Sequence, residues 1–404
     1  MFQLRALALK LKNTYTLDEK AVLLLVASAF ISVYAIGLCA AVLFARLLIN
    51  GGIGRMFRSV KGSGLLLLFG IGAIAASAAH GGWFEIAVAL GIFIALIVLV
   101  FIRRVMTPRL MDGVIDLCCF LSIISFLVGL AQLLFIVKGE FGHRFESVFY
   151  NPNFYATIIE AVTLMALYRL IRPGGQSRRK RGYYAMVMAV NLMGLGICQS
   201  RTAFVVIIIT SLILILFVNR RFLPVYLGIV ALIAAITFFT PELLPRLDTL
   251  GEDVGIKFSI WGTAVNGVWE HPLWGGGCFT YRRIYEAYQG FPVNHAHNIV
   301  LELALNYGLI GCALALTYFT FSVKGIIRLY HRRIDKQRSA LALVVILAFI
   351  MHGVVDATIF WPQTGILAAL VLGCCDMHEN TNIELLSGRI DPDETRQDTV
   401  PDVL

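Results

Sequence analysis

His295 and His297 stand two residues apart where a loop turns into a helix, and they are the side chains best suited to acid–base or metal chemistry. Neutral imidazole, with an unperturbed pKa of ~6.5, accepts a proton near neutral pH. The H-x-H spacing also recurs in metal sites. On a helix, however, the two rings diverge, and no cysteine cluster or HExxH pattern lies near to supply further ligands. A third reading is a histidine hydrogen-bonded at a helix start. On a helical projection His297 lies beside Leu301 and Ala304, the side that packs inward, whereas His295 projects about 160° away, two steps of ~100°, toward water. His297 is therefore expected as a general base with Asn298 beside it to orient an acceptor, and His295 as a neighbouring binding group. Neither a metal nor a cofactor is expected.

Arg201 is the second candidate. It directly precedes an apolar run, where a guanidinium is costly unless it snorkels or holds an anion. Lys257, Arg282 and Arg283 extend the set. If these cations share one face with His297, they suit an anionic lipid-linked ligand such as a diphosphate, whose oxygens match the arginine fork.

The elements that must position these groups follow from composition. Of 404 residues, 58% are hydrophobic and 15% charged, with a mean hydropathy of +0.80, so the chain reads as an all-α polytopic membrane protein. The net charge of +9 comes from basic residues clustered in short loops between apolar runs, which encodes topology and argues against nucleic acid. Eight cysteines without CxxC spacing read as small packing residues. No cleavable signal peptide is expected at the basic start.

Apolar runs that could cross ~30 Å of hydrocarbon occur at 64–79, 84–102, 114–137, 153–170, 183–198, 202–218, 222–240, 308–327, 339–356 and 363–376. The run Ala21–Ile49 is either one tilted helix or a hairpin. A hairpin turning near Tyr34–Gly37 keeps Arg5, Lys10, Lys12 and Lys20 inside, and brings the expectation to about twelve transmembrane helices with both ends cytoplasmic. The basic loops Arg169–Gly182, Asn219–Arg221 and His331–Arg338 belong inside. Alternation then puts Arg201, Lys257, Arg282, Arg283 and His297 outside.

This divides the chain into a bundle of about nine spans (1–240), a large extracytoplasmic loop (241–298) holding short interfacial helices, an interfacial helix with the last spans (299–376), and a polar, disordered cytoplasmic tail (377–404). In the long loop a helix is expected over Phe258–Trp269, with Trp261, Trp269 and Trp274 at the aromatic belt. Asn298, Glu302 and Asn306 form a polar stripe at helical spacing. Asn153 reads as a helix cap, Glu160 must face the bundle interior, and His352 and Asp356 are spaced to pair with each other.

Gln199-Ser-Arg201-Thr-Ala, then HPLWGGG at His271–Gly277, then HAHNIVLELALNYGLIG, in that order, resemble the O-antigen ligase and Wzy-type polymerase superfamily. The resemblance extends over the whole topology. It implies a metal-independent, inverting membrane glycosyltransferase of the bacterial inner membrane. Such an enzyme takes a glycan from undecaprenyl diphosphate on the outer leaflet and gives it to a hydroxyl of a glycan, lipid or protein acceptor. By position it assigns the arginine after the Gln-Ser pair to Arg201 and the base to His297. The second arginine of the pattern, four residues before an aromatic, is here Lys257 before Trp261, which keeps the charge and loses the fork, so Arg282 or Arg283 is an alternative phosphate ligand. Glu302 belongs to the same helix motif. A transporter or flippase of a lipid-linked or anionic solute is the competing class. It calls for charges at mid-bilayer, where Glu160 is the main candidate, and for paired broken helices.

The topology predicts that cysteine tags at Gly251 and Gly290 label from outside, and tags at Gly175 and Gln337 from inside only. Cytoplasmic labelling at Gly251 would remove His297 from the outer face.

Overall fold

The computed structural model describes residues 15–136, 144–174, 176–240 and 250–380. Among them the chain forms fifteen α-helices and no strand. Arg5, Lys10, Lys12 and most of the polar tail, from residue 381, lie outside the described residues.

The first helix, α1 (Leu17–Ala29), begins at a capping box in which Thr16 and Glu19 each satisfy the other's backbone N–H. The second, α2 (Val33–Ile49), starts at the Ser32 cap. Arg46 near the end of α2 reaches Asp18 at the start of α1 at 2.6 Å, so the two helices form an antiparallel hairpin. Its turn lies at Phe30–Ser32 rather than Tyr34–Gly37, because Ser32 supplies the cap and places Tyr34–Gly37 inside α2. With 13 and 17 residues, neither helix reaches the ~20 that a full crossing requires.

The chain continues through α3 (Gly52–Ser59), α4 (Ser63–His80), α5 (Trp83–Val105), α6 (Pro108–Ala131), α7 (Pro152–Ile171), α8 (Arg178–Cys198), α9 (Arg201–Val218) and α10 (Leu223–Phe239). Then come α11 (Leu250–Glu270), α12 (Thr280–Ile284), α13 (Ile299–His331), α14 (Lys336–Gly353) and α15 (Pro362–Gly373). Eight helices among the described residues are long and apolar enough to span a membrane, or nine if α2 and α3, bent by 97°, count as one broken span. That is fewer than the twelve expected. The shortfall has physical causes: α1 and α2 are short, α8 opens with Arg178-Arg-Lys-Arg181, and α15 has only 12 residues.

The core is built on α7. Seventeen of its 20 residues are buried, and its apolar character runs round the whole helix, as a helix enclosed on all sides requires. It packs against α6, α8, α9, α14 and α15. At its C-terminal end Arg169 meets Asp112 and Asp116, and Arg338 of α14 meets Asp112 at 2.6 Å. The opposite extreme is α10, none of whose residues is buried although nearly all are apolar. Such a surface suits hydrocarbon, not water. The protein is a multi-pass membrane protein.

The long helix α13 breaks at Gly308, with φ 63° and ψ −170°. The HPLWGGG loop fills the break: Leu309 N–H donates to Pro272 O (2.8 Å) and Ile310 N–H to Leu273 O (3.1 Å). Gly276 and Gly277 N–H donate in turn to Leu305 O and Asn306 O. The loop thus satisfies backbone groups that the kink would leave bare. A side chain at Gly308 would strain a left-handed backbone and press on the Leu273 carbonyl. Gly308→Ala should therefore cost roughly 1–3 kcal/mol, seen as a lower melting temperature and faster proteolysis of the 271–277 loop. Wild-type behaviour in both assays would count against this docking.

Candidate functional site

The helix α11 begins at Leu250, earlier than the expected Phe258, so Asp253 and Lys257 also lie on it, one turn apart. A small core of Ile260, Ala264, Tyr281, Ala296 and Leu305 joins α11, α12 and α13. It presses the histidine loop onto α11. The loop is fixed from the other side by Glu302, which accepts Ala296 N–H at 2.7 Å and the Asn306 side-chain amide at 2.6 Å. Asn306 in turn accepts Thr280 N–H. The polar stripe read from the sequence is thus a clamp holding the loop on α13.

Residues 294–298 are not helical, which corrects the projection. The helix starts at Ile299 with Asn298 as its cap, accepting Val300 and Leu301 N–H and donating to Val354 O. Asn298 therefore spends both ends of its side-chain amide on the backbone. His297 sits at φ 47°, a left-handed conformation that folds the loop back on itself. As a result His295 does not point away: its ring centroid lies 4.1 Å from that of His297, and its Nδ1 accepts His297 N–H at 3.3 Å.

Asp356, just past the end of α14, is the hub. His297 Nδ1 lies 2.9 Å from its Oδ1, and Asn153 Nδ2 donates to its Oδ2 at 2.7 Å. His352 is instead bonded to Glu160 at 2.6 Å, so the expected His352–Asp356 pair is replaced by two pairs on different partners. The cap of α7 is Asn151, which accepts Asn153 N–H and frees the Asn153 side chain for Asp356. Arg144 donates to Asn153 Oδ1 (2.6 Å) and to Cys198 O (3.0 Å), linking this group to the Gln199–Arg201 turn. Burial alone would raise the Asp356 carboxyl, but the hydrogen bond and charge of His297, with His295 and His352 behind, hold it well below the usual carboxylate range.

A cavity of about 330 Å³ opens onto this hub, lined among others by His297, Asn153, Arg144, Arg201, Lys257 and Asp253. Gln199 closes α8 in a left-handed conformation, so Ser200, Arg201 and Thr202 open α9 at the cavity wall, where a helix start favours anions. Arg201 pairs with Asp253. Lys257 donates to Val355 O at 2.6 Å, and burial pushes its ammonium below the usual lysine value although Asp356 and Asp253 raise it. The structure thus brings His297, Arg201 and Lys257 together with His295 alongside. Arg282 and Arg283 are elsewhere. Arg282 lies 5.7 Å over the Phe84 ring, and Arg283 bonds His80 O, Gly276 O and Thr280, pinning the loop to α4.

Arg144, Asp253 and Asp356 in its role as partner of His297 are what sequence reasoning missed. Arg144 stands nine residues before Asn153, in a loop that the expected topology puts outside, where arginine is uncommon, and that was the available signal. His295, His297 and Asp356 also place one ligand atom each within 4.8 Å of one another, a spacing a metal ion could use. Both Asp356 oxygens are already hydrogen-bonded, and three cationic side chains line the adjoining cavity, which disfavours a dication there.

Burial, then the charge of His297, pushes His295 down to about 4. Between that value and the unfolded ~6.5 the unfolded chain binds more protons, so stability falls as pH drops from about 6.5 toward 4. His295→Gln should flatten that part of the melting-temperature profile. An unchanged profile would show that His295 is not held neutral.

No curated protein matches the chain. Residues 184–316 match the family model described as O-Antigen ligase, a stretch that holds Arg201, Lys257, HPLWGGG and His297, so the superfamily resemblance is shown and the chain carries an O-antigen ligase domain.

Proposed function

We propose that this protein is an inverting glycosyltransferase that moves a glycan from undecaprenyl diphosphate to an acceptor hydroxyl on the outer side of the bacterial inner membrane, as ligase or polymerase of a surface polysaccharide. One observation carries the reading: a histidine paired with an ionised carboxylate shares a single cavity with Arg144, Arg201 and Lys257. The outer placement is supported by α7, whose Asn153 end meets the cavity while Arg169, at the other end, lies among the basic loops.

With Asp356 ionised, His297 donates its Nδ1 proton to it, leaving Nε2 as the ring's acceptor. His297 Nε2 takes the proton of the acceptor hydroxyl as its oxygen bonds the anomeric carbon from one face. The bond from that carbon to the phosphate oxygen breaks on the opposite face, and the electron pair leaves with the diphosphate. Arg201, Arg144 and Lys257, with the start of α9, stabilise the charge that develops there. Asp356 keeps the ring oriented and offsets the imidazolium charge. The polyprenyl chain lies against apolar helix walls such as α10.

The test is transfer by the purified protein in lipid, given a polyprenyl-diphosphate glycan and candidate glycan, lipid and protein acceptors. His297→Ala should lower the rate by ~10²–10⁴ while donor binding persists, and Asp356→Asn should fall in the same direction. Lys257→Arg should stay active and Arg201→Ala should not, with wild-type activity insensitive to chelator. Active His297→Ala sinks the base assignment. Loss in EDTA restored by a divalent ion would transfer the role to the His295–His297–Asp356 group, and transport without transfer would favour the solute carrier reading.

A further inference from the structure

Tyr150 has no role in the chemistry above, yet its setting is unusual. The residue is 76% exposed, and its backbone sits at φ 67°, the left-handed region that an aromatic residue adopts only under strain. The loop that carries it is not loose. Gln132 bonds both the N–H and the C=O of Ser147, and the Ser147 hydroxyl donates to Ser125 O at 2.6 Å. Ser147 too is left-handed, at φ 54°.

Below Tyr150 the rings continue inward as a parallel stack. Tyr150 lies 5.2 Å from Trp361 at 18°, and Trp361 lies 4.9 Å from Phe154 at 21°. The indole is locked by Gln363, which accepts Trp361 Nε1–H at 2.9 Å. Gln363 is itself fully buried and donates to Ala29 O and Val148 O. The outer face of Tyr150 is thus a rigid aromatic plate held in a strained pose. It lies three residues from Asn153 in the cavity wall, at most ~11 Å along the chain.

We propose that this Tyr150–Trp361 stack is a carbohydrate subsite, taking the apolar face of a pyranose beyond the reacting sugar. The inference rests on the glycan-transfer reading. An aromatic face is electronegative, and the C–H groups on one side of a pyranose are weakly positive and apolar, so the two surfaces attract and exclude water together. Because the plate is already ordered, little side-chain freedom is lost on binding. That accounts for strain retained at an exposed position where no buried contact of Tyr150 demands it. The pyranose can belong to the donor's glycan or to the acceptor's.

The decisive variant is Tyr150→Asn, since asparagine tolerates the left-handed backbone and keeps the fold. Full-length protein in nanodiscs is given a soluble oligosaccharide of the donor's sugars, without lipid or diphosphate, and binding is followed by saturation-transfer NMR and titration. Tyr150→Asn should melt higher than wild type and bind about tenfold more weakly, and Tyr150→Trp should bind as wild type does. In transfer assays the same loss should appear in KM rather than kcat. It should grow with donor length if the sugar comes from the donor, and with acceptor length if it comes from the acceptor. Tyr34→Ala, which removes another exposed tyrosine (86%) near the start of α2, should bind normally, separating a subsite from a general effect of exposed aromatic rings. Oligosaccharide binding unchanged in Tyr150→Asn, or weakened equally in Tyr34→Ala, overturns the subsite. Binding through Tyr150 by a protein that transfers nothing would overturn the transfer reading and leave the subsite standing.

Discussion

A carboxylate taken out of water must be paired and hydrogen-bonded or it takes up a proton, and Asp356 is the residue where the fold meets that demand. Its side chain is 5% exposed and receives Asn153 from α7 and His297 from the loop before α13. The two bonds hold together three parts of the chain that are far apart in sequence. A single buried charge therefore fixes both the register of the helices at this end and the tautomer of the histidine. Elsewhere in the bundle the same demand is met by independent pairs, Glu160 with His352 and Glu19 with Arg109 and Thr107. None of these pairs includes a residue of the cavity wall, whereas both partners of Asp356, His297 and Asn153, line it.

The loop that delivers His297 is held by backbone rather than by bulk. HPLWGGG docks into the kink at Gly308, Glu302 clamps Ala296, and Arg283 ties Gly276 to His80. Glycine recurs here because Gly275 and Gly308 each take left-handed backbone with another main chain against the position a side chain would fill. HPLWGGG and the helix motif of α13, read separately in the sequence, are thus parts of one contact.

The sequence made the membrane class legible because it follows from long apolar runs punctuated by basic loops. Arg201 was legible as a charge beside an apolar run, and Lys257 and His297 as polar groups of the long loop and its junction with a helix, placed by the motif order. The number of spans turns on α1, α2, α8 and α15, which differ from the eight long apolar helices only in a few residues of length or charge. The partner of His297 was hidden for another reason: Asp356 and His352 sit at helical spacing, and local spacing suggests a pair that tertiary packing then dissolves. Arg144 and Asp253 likewise acquire their meaning only when the ends of α7, α8 and α11 meet. His295 was misplaced because a left-handed residue at 297 ends any helical projection through the loop.

The charge balance of the cavity sets its working order. Arg144, Arg201 and Lys257 face Asp253 and, behind His297, Asp356, so the site is only mildly cationic while His297 is neutral. On the proposed transfer, a diphosphate arriving at the start of α9 would have to compete with Asp253 for Arg201, which would temper donor affinity in the ground state. In that proposed step, proton transfer to His297 would add positive charge beside the diphosphate at the moment its own negative charge is greatest. The electrostatic gain would then be larger in the transition state than in the bound donor, which is the condition for accelerating the proposed step rather than merely tightening binding. Asp253 contributes to that difference by weakening what is bound before reaction, and so a carboxylate opposite the phosphate ligand is consistent with catalysis rather than at odds with it.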